Sequence, residues 1–160
     1  MYNSAVTRDR EQCRTPMAVM TSIDIVIVLS QTQSQGWTKH MVTIFIVDDE
    51  AILHRLYKDV FSIKGHEVVA DAYDGAEAVD KFVALEPKPE VIILDHRMPN
   101  KDGMQTMKEI LDLDPKAKIV FISADANVRE QAMGNGAASF GLKPVTIRHM
   151  LDLVESAVSD

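Results

Sequence analysis

The sequence lacks three features that would each point to a particular class of protein. It has one cysteine, Cys13, so no disulfide bond can form within the chain, and a reducing compartment such as the cytoplasm is expected. It has no apolar run near the ~18 residues that a membrane-spanning helix needs. It has no basic excess, because 17 Lys and Arg stand against 24 Asp and Glu, for a net charge of −7. We therefore expect neither membrane insertion nor sequence-independent binding to nucleic acid.

What remains is the composition of an ordinary globular protein. Of the 160 residues, 46% are hydrophobic and 26% are charged, which is enough for one domain with a real core.

The first forty residues differ from the rest of the chain. Polar and small residues dominate residues 2–15, and the one apolar segment, residues 23–29, is interrupted by Asp24. That acid makes a signal peptide a poor interpretation. We interpret residues 1–40 as a disordered or loosely structured extension, with an additional edge strand at residues 23–29 as the alternative. The folded domain is then expected to span residues 41–160.

From residue 41 onward, short apolar segments alternate with segments of helical periodicity. The predicted strands are residues 42–47, 66–70, 91–95, 118–122 and 138–142. After the first strand, Ile52, Leu53, Leu56, Val60 and Ile63 recur at helical spacing, and Gly65 is suited to end that helix. Strict alternation of strands and helices predicts an α/β fold, with a parallel sheet covered by helices on both faces.

Polar residues follow directly on four of the predicted strands. They are Asp48 and Asp49 after the first strand, Asp95 at the end of the third, Ser123 after the fourth and Lys143 after the fifth. The carboxyl ends of parallel strands share one edge of a sheet, so these side chains can converge. Two carboxylates about 4 Å apart repel by about 4 kcal/mol at an effective dielectric constant of about 20, so a cation or protonation is expected there. Hard oxygen ligands suit Mg²⁺, and a lysine and a hydroxyl beside Asp95 form a receptacle for a phosphoryl group bound to that carboxylate.

Each of these residues also has a local structural interpretation. Asp48 and Asp49 could cap the following helix, and Asp95 could form a turn. Ser123 could be a helix cap, and Lys143 a solvated lysine at a strand end. Taken singly, each local interpretation is favoured, but their shared sheet edge favours a functional site.

Several short motifs together resemble the receiver domain of two-component response regulators. They are Val-Asp-Asp-Glu at residues 47–50, Leu-Asp at 94–95, Met-Pro at 98–99, Asp-Gly at 102–103, Ser-Ala at 123–124 and Lys-Pro at 143–144. The resemblance covers residue 41 to about residue 159. It implies a flavodoxin-like, doubly wound sheet of five parallel strands in the order 2-1-3-4-5.

The resemblance also implies a role for each site residue. Asp95 would accept a phosphoryl group from a sensor histidine kinase or a histidine phosphotransfer protein. Mg²⁺ would bind Asp48, Asp49, Asp95 and the backbone carbonyl of Arg97. Lys143 would pair with the phosphoryl oxygens.

Two further residues would transmit the phosphorylated state. By the same resemblance, Ser123 would move to hydrogen-bond the phosphoryl group, and Phe140 would rotate inward as the switch aromatic. Lys143 would precede a cis peptide bond to Pro144. We also expect Arg97 and Asp125 to pair across the entrance of the site.

The expected function is that of a stand-alone response regulator without activity on other substrates. It would signal through phosphorylation-dependent contacts with a downstream effector protein, since no output domain follows the last predicted helix. A phosphorelay intermediate without its own effector is the alternative. A phosphatase with an aspartyl nucleophile and a flavin-binding electron carrier are less favoured, the latter because Asp48, Asp49 and Glu50 would repel a phosphate after the first strand.

Overall fold

The computed structural model describes residues 40–159. The predictions for residues 1–39, including the edge strand at residues 23–29, lie outside the described residues. Within the described part, no helix is both long enough and apolar enough to cross a membrane.

Within residues 40–159, five strands alternate with five helices, as the sequence pattern predicts. In chain order they are β1 (Thr43–Val47), α1 (Ala51–Ile63), β2 (Glu67–Ala72), α2 (Gly75–Ala84), β3 (Val91–Asp95), α3 (Gly103–Leu113), β4 (Ile119–Ser123), α4 (Arg129–Gly134), β5 (Ser139–Leu142) and α5 (Ile147–Ser159). A short 3₁₀ helix, Ala126–Val128, precedes α4. Strand β2 runs two residues further than predicted, because β1 pairs with it as far as Ala72.

The five strands form one parallel sheet in the order β2-β1-β3-β4-β5. Val47 of β1 aligns with Leu94 of β3, and Asp95 aligns with Ile122 of β4. Ser123 in turn aligns with Leu142 of β5. The carboxyl ends of β1, β3, β4 and β5 therefore lie side by side along one edge, which confirms the predicted fold.

Both faces of the sheet are covered. On one face, a buried cluster joins Phe45, Leu94 and Phe121 to Phe82 of α2 and Met107 of α3. Because successive side chains of a strand alternate between faces, Ile122 of β4 lies on the other face. Helix α5 packs there, since a Cβ built on Gly141, the partner of Ile122 in β5, would approach Leu153 of α5 to 2.8 Å. The core thus holds β3 and β4 buried along their whole length.

Helix α1 buries a different stripe from the one that its apolar residues predict. Ile52 and Ile63 are 67% and 56% exposed, so their predicted place in the core is wrong. The buried residues of this helix are His54, Tyr57, Val60 and Phe61. With 3.6 residues per turn, Ile52 lies about 200° around the axis from His54, on the opposite side of the helix.

Gly65 ends α1 as predicted. Its φ of +80° is a left-handed conformation that favours glycine. The turn lets the Gly65 amide donate to the Ser62 carbonyl at 3.0 Å and the His66 amide donate to the Phe61 carbonyl at 2.9 Å. These bonds satisfy carbonyl groups at the end of the helix and turn the chain into β2.

Candidate functional site

Lys143 lies at the centre of the predicted strand-end cluster. Its Nζ is 2.7 Å from Asp95 Oδ1 and 3.3 Å from Asp48 Oδ2, and it reaches Glu50 Oε1 at 3.9 Å. The backbone directs the lysine there, because its amide donates to the Ser123 carbonyl at the end of β4. The peptide bond from Lys143 to Pro144 is cis, as the resemblance implies. The fold therefore brings Asp48, Asp95 and Lys143 together.

The two buried acids serve both the local and the functional interpretation at once. Asp48 Oδ1 accepts the Glu50 amide at 2.8 Å while its Oδ2 faces Lys143. Asp95 Oδ2 accepts the Arg97 amide at 2.8 Å while its Oδ1 faces Lys143. One oxygen of each carboxylate thus fixes the turn after its strand, and this bond aims the other oxygen into the site.

Burial dominates the electrostatics of these acids. Asp48 and Asp95 are only 4% and 3% exposed. Removal from water raises the pKa of Asp95 and outweighs the hydrogen bond and charge of Lys143, which lower it. The pKa of Asp48 is raised by the same desolvation, despite the Glu50 amide and Lys143. Burial alone would lower the pKa of Lys143, but its bond to Asp95 and the two carboxylate charges outweigh burial and raise that pKa.

Asp49 stands apart from this buried cluster. Its side chain is exposed, next to Asp48 at the rim. Within residues 40–159, no group of three or more His, Cys, Asp or Glu side chains forms a ready-made metal site. The sequence predicts three crowded carboxylates. The structure instead has two buried carboxylates, Asp48 and Asp95, that share Lys143, with the exposed Asp49 next to Asp48 in the chain.

The donor set nevertheless fits a hard divalent cation. One oxygen of Asp48 and one of Asp95 already converge on a single positive group, Lys143 Nζ. Carboxylate oxygens are the ligands that Mg²⁺ prefers, and an exposed Asp49 leaves room for the waters that this ion retains.

Arg97 and Asp125 pair across the entrance, as predicted. Arg97 Nη2 lies 3.7 Å from Asp125 Oδ2, and the side chains are 72% and 30% exposed. A second bond holds the Asp125 carboxylate in place, because its Oδ1 accepts the backbone amide of Asn127 at the start of the 3₁₀ helix.

The predicted switch residues are both buried. Ser123 is fully buried, and its hydroxyl accepts the Asp125 amide at 3.0 Å. Phe140 is 6% exposed and stacks on Phe121 with the ring centroids 6.3 Å apart. The Arg129 guanidinium lies 5.7 Å from the Phe140 ring centroid. Phe140, the predicted switch aromatic, therefore already occupies an inward position in this structure.

Two histidines at the site carried no signal in the sequence motifs. His96 directly follows Asp95, and its Nδ1 lies 2.9 Å from Ser123 Oγ. His54 is 2% exposed. Its Nε2 lies 2.6 Å from the Asp48 carbonyl oxygen, and its Nδ1 lies 3.3 Å from Asp71 Oδ2. Since a carbonyl oxygen only accepts, Nε2 is the donor. The helical spacing of His54, Tyr57 and Phe61 could have indicated that His54 faces inward.

Comparisons with known proteins agree with the observed fold. Residues 44–155 match the family model of the response regulator receiver domain. The chemotaxis protein CheY of Thermotoga maritima is 40% identical over 104 residues, which are 63% of this chain and 84% of that protein. The chemotaxis protein CheY of Bacillus subtilis is 35% identical over 118 residues, 72% of this chain and 97% of that protein. In the crystal structure of the CheX-CheY-BeF3-Mg+2 complex from Borrelia burgdorferi, the matching chain has 29% identity and a TM-score of 0.69, over 72% of this chain and 87% of that one.

Proposed function

The chain belongs to the response regulator receiver domain family, and we propose that Asp95 is its phosphoacceptor, loaded from a phosphohistidine of a sensor histidine kinase or a histidine phosphotransfer protein. The observation that carries this proposal is the contact of 2.7 Å between Lys143 Nζ and Asp95 Oδ1 at the strand-end edge. It pairs a buried carboxylate with a fixed cation where open α/β sheets bind ligands.

The transfer is a displacement at phosphorus. A carboxylate oxygen of Asp95 forms the new O–P bond while the N–P bond of the phosphohistidine breaks, and the imidazole nitrogen keeps the electron pair. The Lys143 ammonium exchanges its contact with Asp95 for the phosphoryl oxygens and neutralises part of their charge. The Asp48 carboxylate keeps its contact with the ammonium and so holds it beside Asp95. Catalysis of this kind consists mainly of positioning and charge neutralisation.

Asp48, Asp49 and Asp95 are the residues that would hold Mg²⁺, together with the Arg97 carbonyl. When bound, this ion neutralises charge on the phosphoryl oxygens. One oxygen of Asp48 and one of Asp95 already face the same point, Lys143 Nζ, and the exposed Asp49 would add a third carboxylate beside them.

Signalling would proceed through contacts with a separate effector protein. The route leads from Ser123 to Phe140 and on to the surface of α4, β5 and α5. On that surface Met133 and Leu142 are 42% and 45% exposed, which gives a partner apolar area to cover. In a phosphorelay, the same chemistry would return the phosphoryl group to a second histidine instead.

The proposal is tested by locating the phosphoryl group. The protein is incubated with acetyl phosphate and Mg²⁺, and intact mass spectrometry follows the added phosphoryl mass. We expect one phosphoryl group on the parent, none on Asp95→Asn and normal labelling of Asp112→Asn, an exposed acid on α3. Asp49→Ala should need more Mg²⁺ to reach the same labelling. Full labelling of Asp95→Asn would show that another residue is the acceptor.

A further inference from the structure

His96 directly follows β3, and its backbone is bonded to β4 and to the start of α3. Its amide donates to the Ile122 carbonyl at 2.8 Å, and its own carbonyl accepts the Gly103 amide at 2.8 Å. Its ring packs against Phe121 with centroids 5.6 Å apart. With the backbone fixed on both sides and one ring face covered, Nδ1 is directed to Ser123 Oγ at 2.9 Å.

The Ser123 hydroxyl has little capacity left. A serine hydroxyl carries one proton and two acceptor lone pairs. The Asp125 amide uses one lone pair, and His96 Nδ1 takes up either the proton or the other lone pair. In the part of the chain that the structure describes, neither Asp95 nor Lys143 is among the partners of this hydroxyl.

The strand register explains why the hydroxyl is turned away from the acceptor. Asp95 aligns with Ile122, so these two side chains leave the sheet on the same face. Ser123 comes one residue later, and successive side chains alternate between faces. Ser123 therefore starts on the face of Phe121, where the His96 ring also lies. We therefore expect the hydroxyl to leave His96 when it reaches a phosphoryl group on Asp95.

We propose that His96 is a positioning residue that holds the Ser123 hydroxyl away from Asp95 until a phosphoryl group competes for it. This inference rests on the proposed role of Asp95. His96 stabilises the unphosphorylated arrangement and not the phosphorylated one. It therefore lowers the affinity of the site for a phosphoryl group or its mimic.

The test measures binding of beryllofluoride, a phosphoryl mimic, with Mg²⁺ by calorimetry at one fixed pH. His96→Phe keeps a ring against Phe121 but removes the nitrogen, and we expect about two- to tenfold tighter binding, the factor that corresponds to one neutral hydrogen bond. His96→Asn places an amide where Nδ1 lies and should restore the parental affinity. His149→Phe, the same change at an exposed position of α5, should bind as the parent does. His96→Leu is a second variant without the nitrogen, should the phenylalanine variant not fold.

The same substitution in a Ser123→Ala background separates positioning from packing. If His96 acts through the hydroxyl, His96→Phe changes nothing once the hydroxyl is gone. If His96→Phe and His96→Leu both bound beryllofluoride as weakly as the parent or more weakly, the inference would be overturned. It would also be overturned if His96→Phe tightened binding equally in the parent and in the Ser123→Ala background. A parent that shows no Asp95-dependent binding of beryllofluoride would instead overturn the proposed function, and this inference with it.

Discussion

The buried pocket holds more negative charge than its one ammonium neutralises. Asp48 and Asp95 both face Lys143, so two carboxylates share one cation. The pKa of each acid is raised mainly by desolvation, which outweighs the attraction of the lysine, and the charge of Asp48 raises the pKa of Asp95 further. A site with spare negative charge is unfavourable for folding but suited to attract a divalent cation.

The raised pKa of Asp95 predicts how the free energy of unfolding depends on pH without Mg²⁺. Since the pKa of Asp95 is raised on folding, the folded protein binds protons more tightly than the unfolded chain. The free energy of unfolding therefore falls as pH rises through the carboxyl range and Asp95 ionises. Asp95→Asn resembles the protonated acid, and Lys143 keeps Asp48 as a partner. We expect the variant to melt a few degrees above the parent at neutral pH, with the gap closing toward about pH 4.

Thermal melts of both proteins across this pH range measure the effect. Asp59→Asn, an exposed acid on α1, controls for the change in net charge and should not reproduce the gap. Added Mg²⁺ should raise the melting temperature of the parent more than that of Asp95→Asn. A variant that is less stable than the parent at neutral pH would show that the Asp95–Lys143 bond outweighs desolvation.

The pair at the entrance predicts a kinetic effect without a stability effect. Arg97 and Asp125 are joined at 3.7 Å in solvent, where such pairs contribute less than about 1 kcal/mol. We expect them to flank the approach of the water that would hydrolyse a phosphoryl group on Asp95. Opening the entrance should speed dephosphorylation up to about fivefold, the rate factor for that energy. Arg97→Ala, Asp125→Asn and the double variant test this, because asparagine can keep the bond to the Asn127 amide. Three rates equal to that of the parent would contradict it.

At the scale of elements, the loop from β3 to α3 has little freedom. Asn100 adopts a φ of +64°, and its side-chain Nδ2 donates to Asp74 Oδ2 at 3.2 Å, which ties this loop to the start of α2. Gly103 opens α3 directly against the end of β3, where an added Cβ would overlap the Asp95 carbonyl oxygen and approach His96 Cα to 2.9 Å. The position of Asp95 therefore depends on a glycine eight residues away.

Gly103→Ala should accordingly destabilise the protein. The methyl group would meet backbone atoms that cannot move independently, and overpacking of this kind typically costs about 1–3 kcal/mol. We expect a melting temperature lower by several degrees. Gly134→Ala is the matched control, because nothing lies within 4 Å of its added Cβ at the end of α4, and it should be neutral or slightly stabilising. Equal melting of the two variants would contradict the close approach.

At the scale of the whole molecule, topology decided how much the sequence could predict. Alternation of strands and helices was enough to place Asp48, Asp95 and Lys143 at one edge, because all parallel strands end there. The exposure of Asp49 and the bond from His96 to Ser123 depend on rotamers and on register between strands. The strand pattern places His96 and Ser123 at the ends of neighbouring strands, but it does not determine that their side chains bond. The exposed Ile52 shows the same limit, since an apolar side chain does not reveal which way its helix is turned.

The described domain encloses its own core, which leads to a prediction about the residues before it. Strands β1, β3 and β4 are buried within residues 42–157, and among the described residues the site uses none before Asp48. A protein that starts at Met41 should therefore melt within a few degrees of the full chain and label equally with acetyl phosphate. It does lose the hydrogen bond of 2.6 Å between His40 Nε2 and Glu90 Oε1, an exposed contact of a kind that contributes less than about 1 kcal/mol. A second protein that starts at Lys39 keeps this pair, so comparing the two isolates its effect. If both shortened proteins melted far below the full chain, residues 1–38 would contribute to the stability of the domain, as an additional edge strand at residues 23–29 would require.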